Sequence, residues 1–213
     1  MTKIMLIRHG QSMANLEEIY VGNTDSELTP LGRKQAQCTA QYIFENFEVD
    51  KVYASSLRRA YDTGKAVADK FGLDVNSDDR LKEIYGGEWE GKKFVDLVKN
   101  YPEEFGTWLN DLGNAFCPGG ETIVDLKNRV MEALFQIAQE NDGKKIVIAT
   151  HATPIRILQV CCEEKSLVDM KNIPWVSNAS VSFVKYENGK FIMERAGFDE
   201  HLGEMATHLP EKI

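Results

Sequence analysis

The sequence predicts an α/β fold, a three-layer α/β/α sandwich around a mainly parallel central sheet. Two observations support this fold class. Short apolar runs typical of buried strands alternate with longer stretches whose apolar residues recur at helical spacing. No Pro/Gly/Ser-rich linker or block of like charge divides the 213 residues. We therefore expect one domain over residues 1–213, large enough to bury a substantial core.

The first half of the chain supplies two strands and two helices. Lys3-Ile4-Met5-Leu6-Ile7 is an apolar run typical of a fully buried strand. Thr29-Pro30 begins a helix that extends to about residue 47, because threonine caps free amides and proline suits the first helical position. Residues 51–54 form a second strand, and a helix over about residues 60–71 follows it.

The second half continues the alternation after a stretch rich in Gly, Trp and Pro. That stretch, at about 85–120, is expected to be an insertion with short helices at 94–100 and 103–109. A long helix over 123–141, a buried strand over 144–149 and a helix over 154–162 follow. Two strands, 180–186 and 190–195, form a hairpin, which adds at least one antiparallel strand to the sheet.

Composition narrows the class of partner. The net charge of −8 argues against nucleic acid, whose binding needs basic surfaces, but it allows a small anionic substrate held by a few focused arginines. No apolar run approaches the ~20 residues that cross a bilayer, and no signal segment precedes the first strand. The four cysteines show no C-x-x-C spacing, so we expect free thiols. We expect a cytoplasmic protein without a membrane partner, either a monomer or a homodimer.

Arginine and histidine residues follow three of the predicted strands. Arg8-His9 ends the first strand, Arg58-Arg59 follows the second and His151 follows the strand at 144–149. Because parallel strands of an α/β sheet present their carboxyl ends at one edge, these side chains are expected to meet. A neutral imidazole is a competent nucleophile, and guanidinium groups bind phosphate oxygens in pairs. The pattern predicts phosphoryl transfer without a metal or cofactor.

Further blocks extend this pattern over most of the chain. Glu83 follows Leu81-Lys82, and Gly86-Gly87-Glu88-Trp89-Glu90-Gly91 comes next. The other blocks are Leu6-Ile7-Arg8-His9-Gly10-Gln11-Ser12 with Asn15, Ser55-Ser56-Leu57-Arg58-Arg59-Ala60-Tyr61-Asp62-Thr63, Pro118-Gly119-Gly120-Glu121-Thr122 and Ala149-Thr150-His151-Ala152. In this order they resemble the histidine phosphatase superfamily, the phosphoglycerate mutase-like group with its Arg-His-Gly motif.

The resemblance implies a role for each matching residue. His9 would be the nucleophile, Glu83 the proton donor and later the base. Three further groups would bind the equatorial oxygens of the phosphoryl group: Arg8, Arg59 and His151. Asn15 would add a neutral donor, and Ser12 would either reach the phosphate or stabilise the turn. Arg59 is preferred to Arg58 because the family arginine directly precedes the small residue that Ala60 matches. The insertion at 85–120 would lie over the active site.

Several residues compete with these assignments or depart from the family pattern. Asp79, Glu88 and Glu90 are carboxylates near Glu83, and we expect them to be solvated or hydrogen-bonded within the loop. Ala152 stands where the family usually has glycine, so its methyl group would narrow the phosphate site. Trp89, Trp108 and Trp175 are expected to be core or pocket walls, and His201 and His208 to be surface residues.

The predicted function is hydrolysis of a small phosphorylated metabolite through a phosphohistidine. The alternative is a cofactor-dependent phosphoglycerate mutase, and a less favoured one is a non-catalytic module that binds a phospho-ligand. Hydrolysis is preferred because the insertion lacks the adjacent arginines of the glycolytic mutases, with Lys92 and Lys93 its only basic pair nearby. The substrate stays open between several small-molecule phosphatase classes. The insertion and the tail after Ala196 are expected to line the leaving-group side.

Overall fold

One six-stranded sheet organises residues 1–207, the part of the chain that the computed structural model describes. Its strand order is β3-β2-β4-β1-β5-β6; the first four strands run parallel, and β5 and β6 are antiparallel. The strands are β1 (Thr2–Arg8), β2 (Lys51–Ala54), β3 (Val75–Ser77), β4 (Lys145–Thr150), β5 (Val181–Glu187) and β6 (Lys190–Phe198).

Helices cover both faces of this sheet, which confirms the predicted α/β architecture. The α-helices are α1 (Met13–Leu16), α2 (Pro30–Asn46), α3 (Arg58–Phe71), α4 (Phe94–Asn100), α5 (Pro102–Asn110), α6 (Ile123–Glu140) and α7 (Ala152–Cys162). Capping is as the sequence indicates: the Thr29 side chain accepts a hydrogen bond from Gly32 N at 2.9 Å, with Pro30 in the first turn of α2.

The strand β1 separates two hydrophobic cores. Ile4 and Leu6 face the core under α6 and α7, and Met5 and Ile7 face the core under α2 and α3. Side chains of a strand alternate between its two faces, so an uninterrupted apolar run is what a strand covered on both sides requires. The buried apolar run in the sequence is therefore explained by its central place in the sheet.

The register of the parallel strands brings the functional corners together. Arg8 lies opposite Thr150 in the β1–β4 pair, and Ala54 lies opposite Ala149 in the β2–β4 pair. The amide of His9 then donates to the Thr150 carbonyl at 3.0 Å, just beyond the end of β1. The residues that follow β1, β2 and β4 consequently emerge side by side at one edge, as the sequence predicted.

The insertion packs as an aromatic cluster around Trp89. Trp89 is fully buried, and the rings of Tyr20, Phe105 and Trp108 meet it edge to face at centroid distances of 5.3–5.8 Å. Such edge-to-face pairs satisfy the ring quadrupoles while excluding water. The prediction of Trp89 and Trp108 as core or wall residues is confirmed.

Some elements differ from the sequence-based prediction. The edge strand β3 was missed, because only one apolar residue in Val75-Asn76-Ser77 signals it. Helix α3 begins at Arg58 and α7 at Ala152, two residues earlier than predicted in each case. The short helix α1 was also missed, since four residues are too few to show a helical period.

The chain after β6 packs against α2 instead of lying free. The imidazole of His201 stacks on Tyr42 at a centroid distance of 4.9 Å, and its Nε2 lies 2.8 Å from the Thr39 hydroxyl. The prediction of His201 as a surface residue is therefore wrong, because an aromatic neighbour and a hydroxyl compensate its partial burial. His208 lies outside the described residues. Within residues 1–207, no helix is long and apolar enough to cross a membrane.

Candidate active site

His9 lies just beyond β1 with one ring nitrogen already engaged. Its Nδ1 is 2.8 Å from the carbonyl oxygen of Gly10, which can only accept, so Nδ1 carries the proton. The other nitrogen, Nε2, is then unprotonated and has a lone pair. The side chain is buried at 5% exposure, so its position is fixed by packing as well as by this bond. This is the arrangement that a nucleophilic imidazole requires.

His151 faces His9 from the end of β4, and Ser55 determines its tautomer. The Ser55 hydroxyl oxygen accepts a hydrogen bond from Leu57 N at 3.3 Å and lies 2.9 Å from His151 Nε2. The hydroxyl can donate its proton to Nε2, and we assign this arrangement, which places the ring proton on Nδ1. This Nδ1 is buried and has no hydrogen-bond partner among the described residues, so it is a donor without an acceptor.

Two buried arginines flank the histidine pair. Arg8 Nη1 donates to the Val176 carbonyl at 2.6 Å, while its buried Nε has no partner within the described part of the chain. Arg59 is 1% exposed, and its two amino groups donate to the carbonyls of Thr24 and Gly22 at 3.0 and 2.7 Å. Neutral carbonyls fix both guanidinium groups without neutralising them, so their charge stays available to an anion.

The electrostatic environment keeps both imidazoles neutral. Burial, followed by the positive charges of Arg59 and Arg8, lowers the pKa of His9 well below 6.5. Burial also lowers the pKa of His151, with Arg59 and His9 as the next contributors. Burial reduces the pKa of Arg8 to about 10, which still leaves it charged at neutral pH. The site combines two neutral rings with two fixed cations.

Glu83 lies at the N-terminus of α7, across from the arginines. Its carboxylate oxygens accept hydrogen bonds from Ile84 N at 2.9 Å and Thr153 N at 3.2 Å. Burial lowers the pKa of Arg8 and of Arg59, and the charge of Glu83 opposes this shift at both residues. Among the acidic residues that the sequence offers for this role, Glu83 is the one that lines the same cleft as Arg8.

An ion pair behind Glu83 holds its backbone in place. Arg129 on α6 makes a double hydrogen bond to the Glu121 carboxylate, with both distances at 2.7 Å. The same guanidinium donates to the carbonyls of Lys82 and Glu83 at 2.7 Å. Glu121 also accepts from Tyr85 N at 2.8 Å. The Gly-Gly-Glu block of the sequence therefore supports the segment that carries Glu83.

The other nearby carboxylates have structural partners. Glu90 accepts hydrogen bonds from the amides of Gly22, Asn23 and Thr24 at 2.8–3.1 Å, and from Gly86 N at 2.8 Å. It thus clamps the loop whose carbonyls hold Arg59. Asp79 pairs with Lys82 at 3.0 Å, away from the histidines.

Asn15 and Ser12 differ in what they can offer a ligand. The Asn15 side-chain oxygen accepts from Ser12 N at 3.1 Å and from Asn178 Nδ2 at 3.3 Å, so its own NH₂ group is left to donate. The Ser12 hydroxyl oxygen accepts from Asn15 N at 3.2 Å and caps α1, and Ser12 is fully buried. Of the two roles considered for Ser12, the turn-stabilising one is what the structure shows.

A cleft opens in front of Arg8, Asn15 and Glu83. Ala152, which replaces the usual glycine, forms part of its wall, together with Trp108 and Trp175. The further lining residues are Ile19, Tyr20, Val21, Ile84, Phe94 and Thr153. A lining that combines polar groups with aromatic rings suits a small phosphorylated molecule. The described residues after Ala196 pack on α2 and do not line this cleft, contrary to the expectation for the tail.

Lys92 and Lys93 also lie outside this cleft. The ammonium group of Lys92 contacts the Glu88 carbonyl and the Tyr101 hydroxyl, and Lys93 precedes α4 as an exposed residue. Within residues 1–207, no group of three or more His, Cys, Asp or Glu side chains could hold a metal ion. Arg8 is the cationic side chain among the residues that line this cleft.

Ser55 and Asn178, which orient site residues, were not predicted from the sequence, and Glu90 was predicted as a hydrogen-bonded loop residue without its contacts to residues 22–24. Ser55, Asn178 and Glu90 each bond a catalytic candidate or the loop that holds one. Ser55 and Glu90 stood inside the quoted blocks, and their place there was the available signal. Asn178 carried no signal, because its hydrogen bond to the His9 carbonyl at 3.0 Å joins residues far apart in sequence.

Fold and site together define a phosphoryl-transfer enzyme of the α/β class, with an imidazole pair between two buried arginines. The chain belongs to the histidine phosphatase superfamily (branch 1), whose sequence model matches residues 4–199. The resemblance read from the Arg8-His9-Gly10 region and the other blocks is thereby confirmed.

Individual relatives agree with this membership. The chain is 29% identical over 213 residues to phosphoserine phosphatase 1 of Hydrogenobacter thermophilus, covering 100% of both chains. It is 31% identical over 205 residues to phosphoglycerate mutase-like protein 4 of Arabidopsis thaliana, covering 95% of this chain and 87% of that one. The solved structure of YhfR from Bacillus stearothermophilus superimposes with a TM-score of 0.90 at 27% identity, covering 95% and 100% of the two chains. The prediction of a phosphatase enzyme for small phosphorylated metabolites is confirmed.

Proposed function

We propose that this protein hydrolyses small phosphomonoesters through a phosphohistidine on Nε2 of His9. The observation that supports this most is the pairing of an unprotonated His9 Nε2 with two buried nitrogens that have no hydrogen-bond partner within residues 1–207, Arg8 Nε and His151 Nδ1. Buried N–H groups without partners are rare in folded proteins, because each lost hydrogen bond is unfavourable by about 1–3 kcal/mol. The transferring phosphoryl group would supply the missing acceptors.

The first chemical step transfers the phosphoryl group to the enzyme. His9 Nε2 attacks phosphorus, so that a P–N bond forms while the P–O bond to the leaving group breaks. Arg8, Arg59 and the His151 Nδ1–H stabilise the charge on the equatorial oxygens, and the Asn15 NH₂ group adds a neutral donor. Glu83, in its acid form, protonates the departing oxygen and is left as a carboxylate.

The second step returns the enzyme to its starting state. A water molecule attacks phosphorus, its proton passes to the Glu83 carboxylate, and the P–N bond breaks to release inorganic phosphate. His9 keeps its Nδ1 proton throughout, because the Gly10 carbonyl holds that proton in both steps. No metal ion or organic cofactor enters either step.

The positions of the two lysines in the insertion favour hydrolysis over the mutase alternative. A mutase has to protect the phosphoenzyme from water until the phosphoryl group returns to a hydroxyl, and the glycolytic mutases that the sequence resembles carry adjacent arginines in the insertion. Lys92 is engaged by Glu88 and Tyr101, and Lys93 is exposed, so neither is placed for this task. Incubation with 3-phosphoglycerate and 2,3-bisphosphoglycerate is expected to release phosphate, whereas net isomerisation would favour the mutase.

The test of the proposed function is hydrolysis of p-nitrophenyl phosphate by the wild type and by His9→Ala. We expect phosphate release to disappear in the variant and an acid-labile phosphoryl adduct to be trapped only on the wild type. His201→Gln serves as the control, because it removes an imidazole that packs against α2, and it should keep the adduct. Unchanged phosphate release by His9→Ala would refute both the hydrolase and its nucleophile.

The proposal also covers the cellular location and the oligomeric state of the protein. Four free cysteines support a reducing compartment, and we propose a cytoplasmic enzyme on that ground. A monomer or homodimer is proposed, and sedimentation of the purified protein would distinguish them.

A further inference from the structure

Arg156 is a buried cation without an anionic partner among the described residues. It is 4% exposed, and its Nη2 donates to the Met170 carbonyl, a neutral acceptor. Its Nε is buried and makes no hydrogen bond within the part of the chain that the structure describes. Burial lowers its pKa to about 10, against a small opposing effect of the Glu83 charge. A buried charge is unfavourable unless it is paired, so this arginine lacks a partner that a ligand could provide.

Arg156 is not itself among the residues that line the cleft, but its guanidinium packs against Trp175, which is. It lies on α7, three and four residues after Thr153 and Ala152, which both line the cleft. Residues at this spacing share one face of a helix, and helical side chains lean toward the helix N-terminus. The Arg156 guanidinium stacks on the Trp175 ring at 3.9 Å from its centroid, and Trp175 is itself a wall of the cleft.

The position of Glu83 indicates which part of the substrate Arg156 faces. In the proposed function, Glu83 protonates the leaving oxygen, so groups beyond Glu83 face the leaving group and not the phosphoryl group. The Glu83 carboxylate accepts a hydrogen bond from Thr153 N, about one helical turn before Arg156 on α7, and it lines the cleft together with Arg8. Arg8 belongs to the phosphoryl cradle, so Arg156 is the cation available to the rest of the substrate.

Building on the proposed function, we infer that Arg156, stacked on Trp175, is a subsite for a carboxylate carried by the leaving group. The substrate class is then a small phosphomonoester with a carboxylate a few bonds from the ester oxygen. A planar guanidinium binds a planar carboxylate through two parallel hydrogen bonds, and stacking on an indole fixes the plane of the guanidinium. A second phosphate would call for several donors, as in the cradle of Arg8, Arg59 and His151, whereas one guanidinium suits a carboxylate.

A purely structural role accounts for only part of the arrangement. The bond to Met170 holds the short helix Leu167–Asn172 against α7, but it uses one of the five N–H donors of the guanidinium. It leaves the buried Nε without an acceptor and the guanidinium without a salt bridge within residues 1–207. A neutral donor such as glutamine would hold the same carbonyl, so the structural role does not require a cation.

The test compares two ligands that differ only in the carboxylate, O-phospho-L-serine and O-phosphoethanolamine. Each is measured as a competitive inhibitor of p-nitrophenyl phosphate hydrolysis, which gives an inhibition constant whether or not the ligand is itself hydrolysed. For the wild type we expect O-phospho-L-serine to bind at least ~10-fold more tightly, as one charge-assisted pair predicts. In Arg156→Met this ratio should fall to about 1, and Arg156→Lys should retain part of it.

Arg195→Met is the matched control, because Arg195 also stacks on an aromatic ring, at 4.3 Å from the Phe198 centroid, but is half exposed and far from the cleft in the fold. It should keep the wild-type ratio. A wild-type ratio near 1, or an equal rise of both inhibition constants in Arg156→Met, would overturn the subsite. Either result with His9-dependent hydrolysis intact leaves the proposed function standing. Absence of His9-dependent hydrolysis removes the function and the subsite together.

Discussion

The imidazole rings of His9 and His151 lie 5.2 Å apart between centroids, with their planes inclined at 61°. Each ring has one nitrogen fixed by a neighbour, His9 Nδ1 by the Gly10 carbonyl and His151 Nε2 by the Ser55 hydroxyl. The remaining nitrogens are His9 Nε2, which has a free lone pair, and His151 Nδ1, which carries a proton. A phosphoryl group between the rings would therefore meet a nucleophile on one side and a donor on the other.

Ser55→Ala is expected to lower kcat/KM for p-nitrophenyl phosphate by roughly 10–100-fold. Without the hydroxyl, His151 Nε2 loses its donor, so the ring proton is no longer held on Nδ1, where the phosphoryl oxygen needs it. Steady-state kinetics measures the effect. Ser56→Ala is the control, because this neighbouring hydroxyl bonds Asp79 instead. Equal activity of the two variants would show that Ser55 does not set the tautomer.

Stability is expected to fall as the pH is lowered from about 7 to about 5. Burial, the first cause in each case, holds the pKa of His9 and His151 well below the unfolded value of 6.5. Below pH 6.5 the unfolded chain therefore binds more protons than the folded protein, and the free energy of unfolding decreases with falling pH. Each imidazole contributes a slope of up to about 1.4 kcal/mol per pH unit in this range.

Urea unfolding at several pH values measures this slope. His151→Asn should reduce it, because one titrating ring is removed while a polar side chain remains. His201 acts in the same direction, since burial also lowers its pKa. Carboxylates such as Asp78 and Glu90, whose pKa values lie below their usual range, titrate mainly at lower pH. A slope that is unaltered in His151→Asn would contradict the assignment of a neutral His151.

The central sheet could be predicted because its strands leave a clear pattern. β1 and β4 are apolar runs buried on both faces, and β5 and β6 are joined by the turn Asn188-Gly189. β3 lacks such a pattern, since it is a three-residue edge strand whose second and third residues are exposed. Its formation depends on pairing with β2, which is a tertiary contact that periodicity does not encode.

The candidate site also has residues that the sequence predicts and contacts that it does not. Residues that follow a strand, such as His9 and His151, could be located from the sequence, because strand ends share one edge. The contacts that orient them could not, since Asn178 reaches His9 and Thr24 reaches Arg59 only once the chain has folded. Arg156 resembled any helical arginine until its burial and its stack on Trp175 were known.

Arg59→Lys is expected to reduce kcat/KM by roughly 10²-fold. The lysine ammonium cannot span the carbonyls of both Gly22 and Thr24 while facing the phosphoryl group, as the guanidinium fork does. Arg58→Lys is the matched control, because its side chain is 57% exposed and pairs with Glu27 at 2.6 Å. Inhibition by inorganic phosphate should weaken in Arg59→Lys alone. The reverse ranking would mean that the family arginine had been aligned one residue off.

Glu90→Gln is expected to weaken phosphate binding through Arg59 without touching the substrate. Each carboxylate oxygen of Glu90 accepts two backbone N–H groups, three of the four coming from residues 22–24 and the fourth from Gly86. The amide of glutamine turns a donor toward one of these pairs, and donors left unpaired are unfavourable by about 1–3 kcal/mol. The loop would shift, and with it the carbonyls that hold the Arg59 guanidinium.

A positioning role for Glu90 is recognised by comparing the change in KM with the change in kcat. Because the loop positions Arg59 and leaves His9 and Glu83 in place, Glu90→Gln should raise KM and the inhibition constant of inorganic phosphate more than it lowers kcat. Glu88→Gln is the control from the same block, since its exposed carboxylate accepts a hydrogen bond from the Tyr101 hydroxyl at 3.1 Å and has no backbone donor within residues 1–207. A fall in kcat at constant KM would place Glu90 in the chemistry itself, whereas loss of thermal stability with unchanged kinetics would leave it a purely structural clamp.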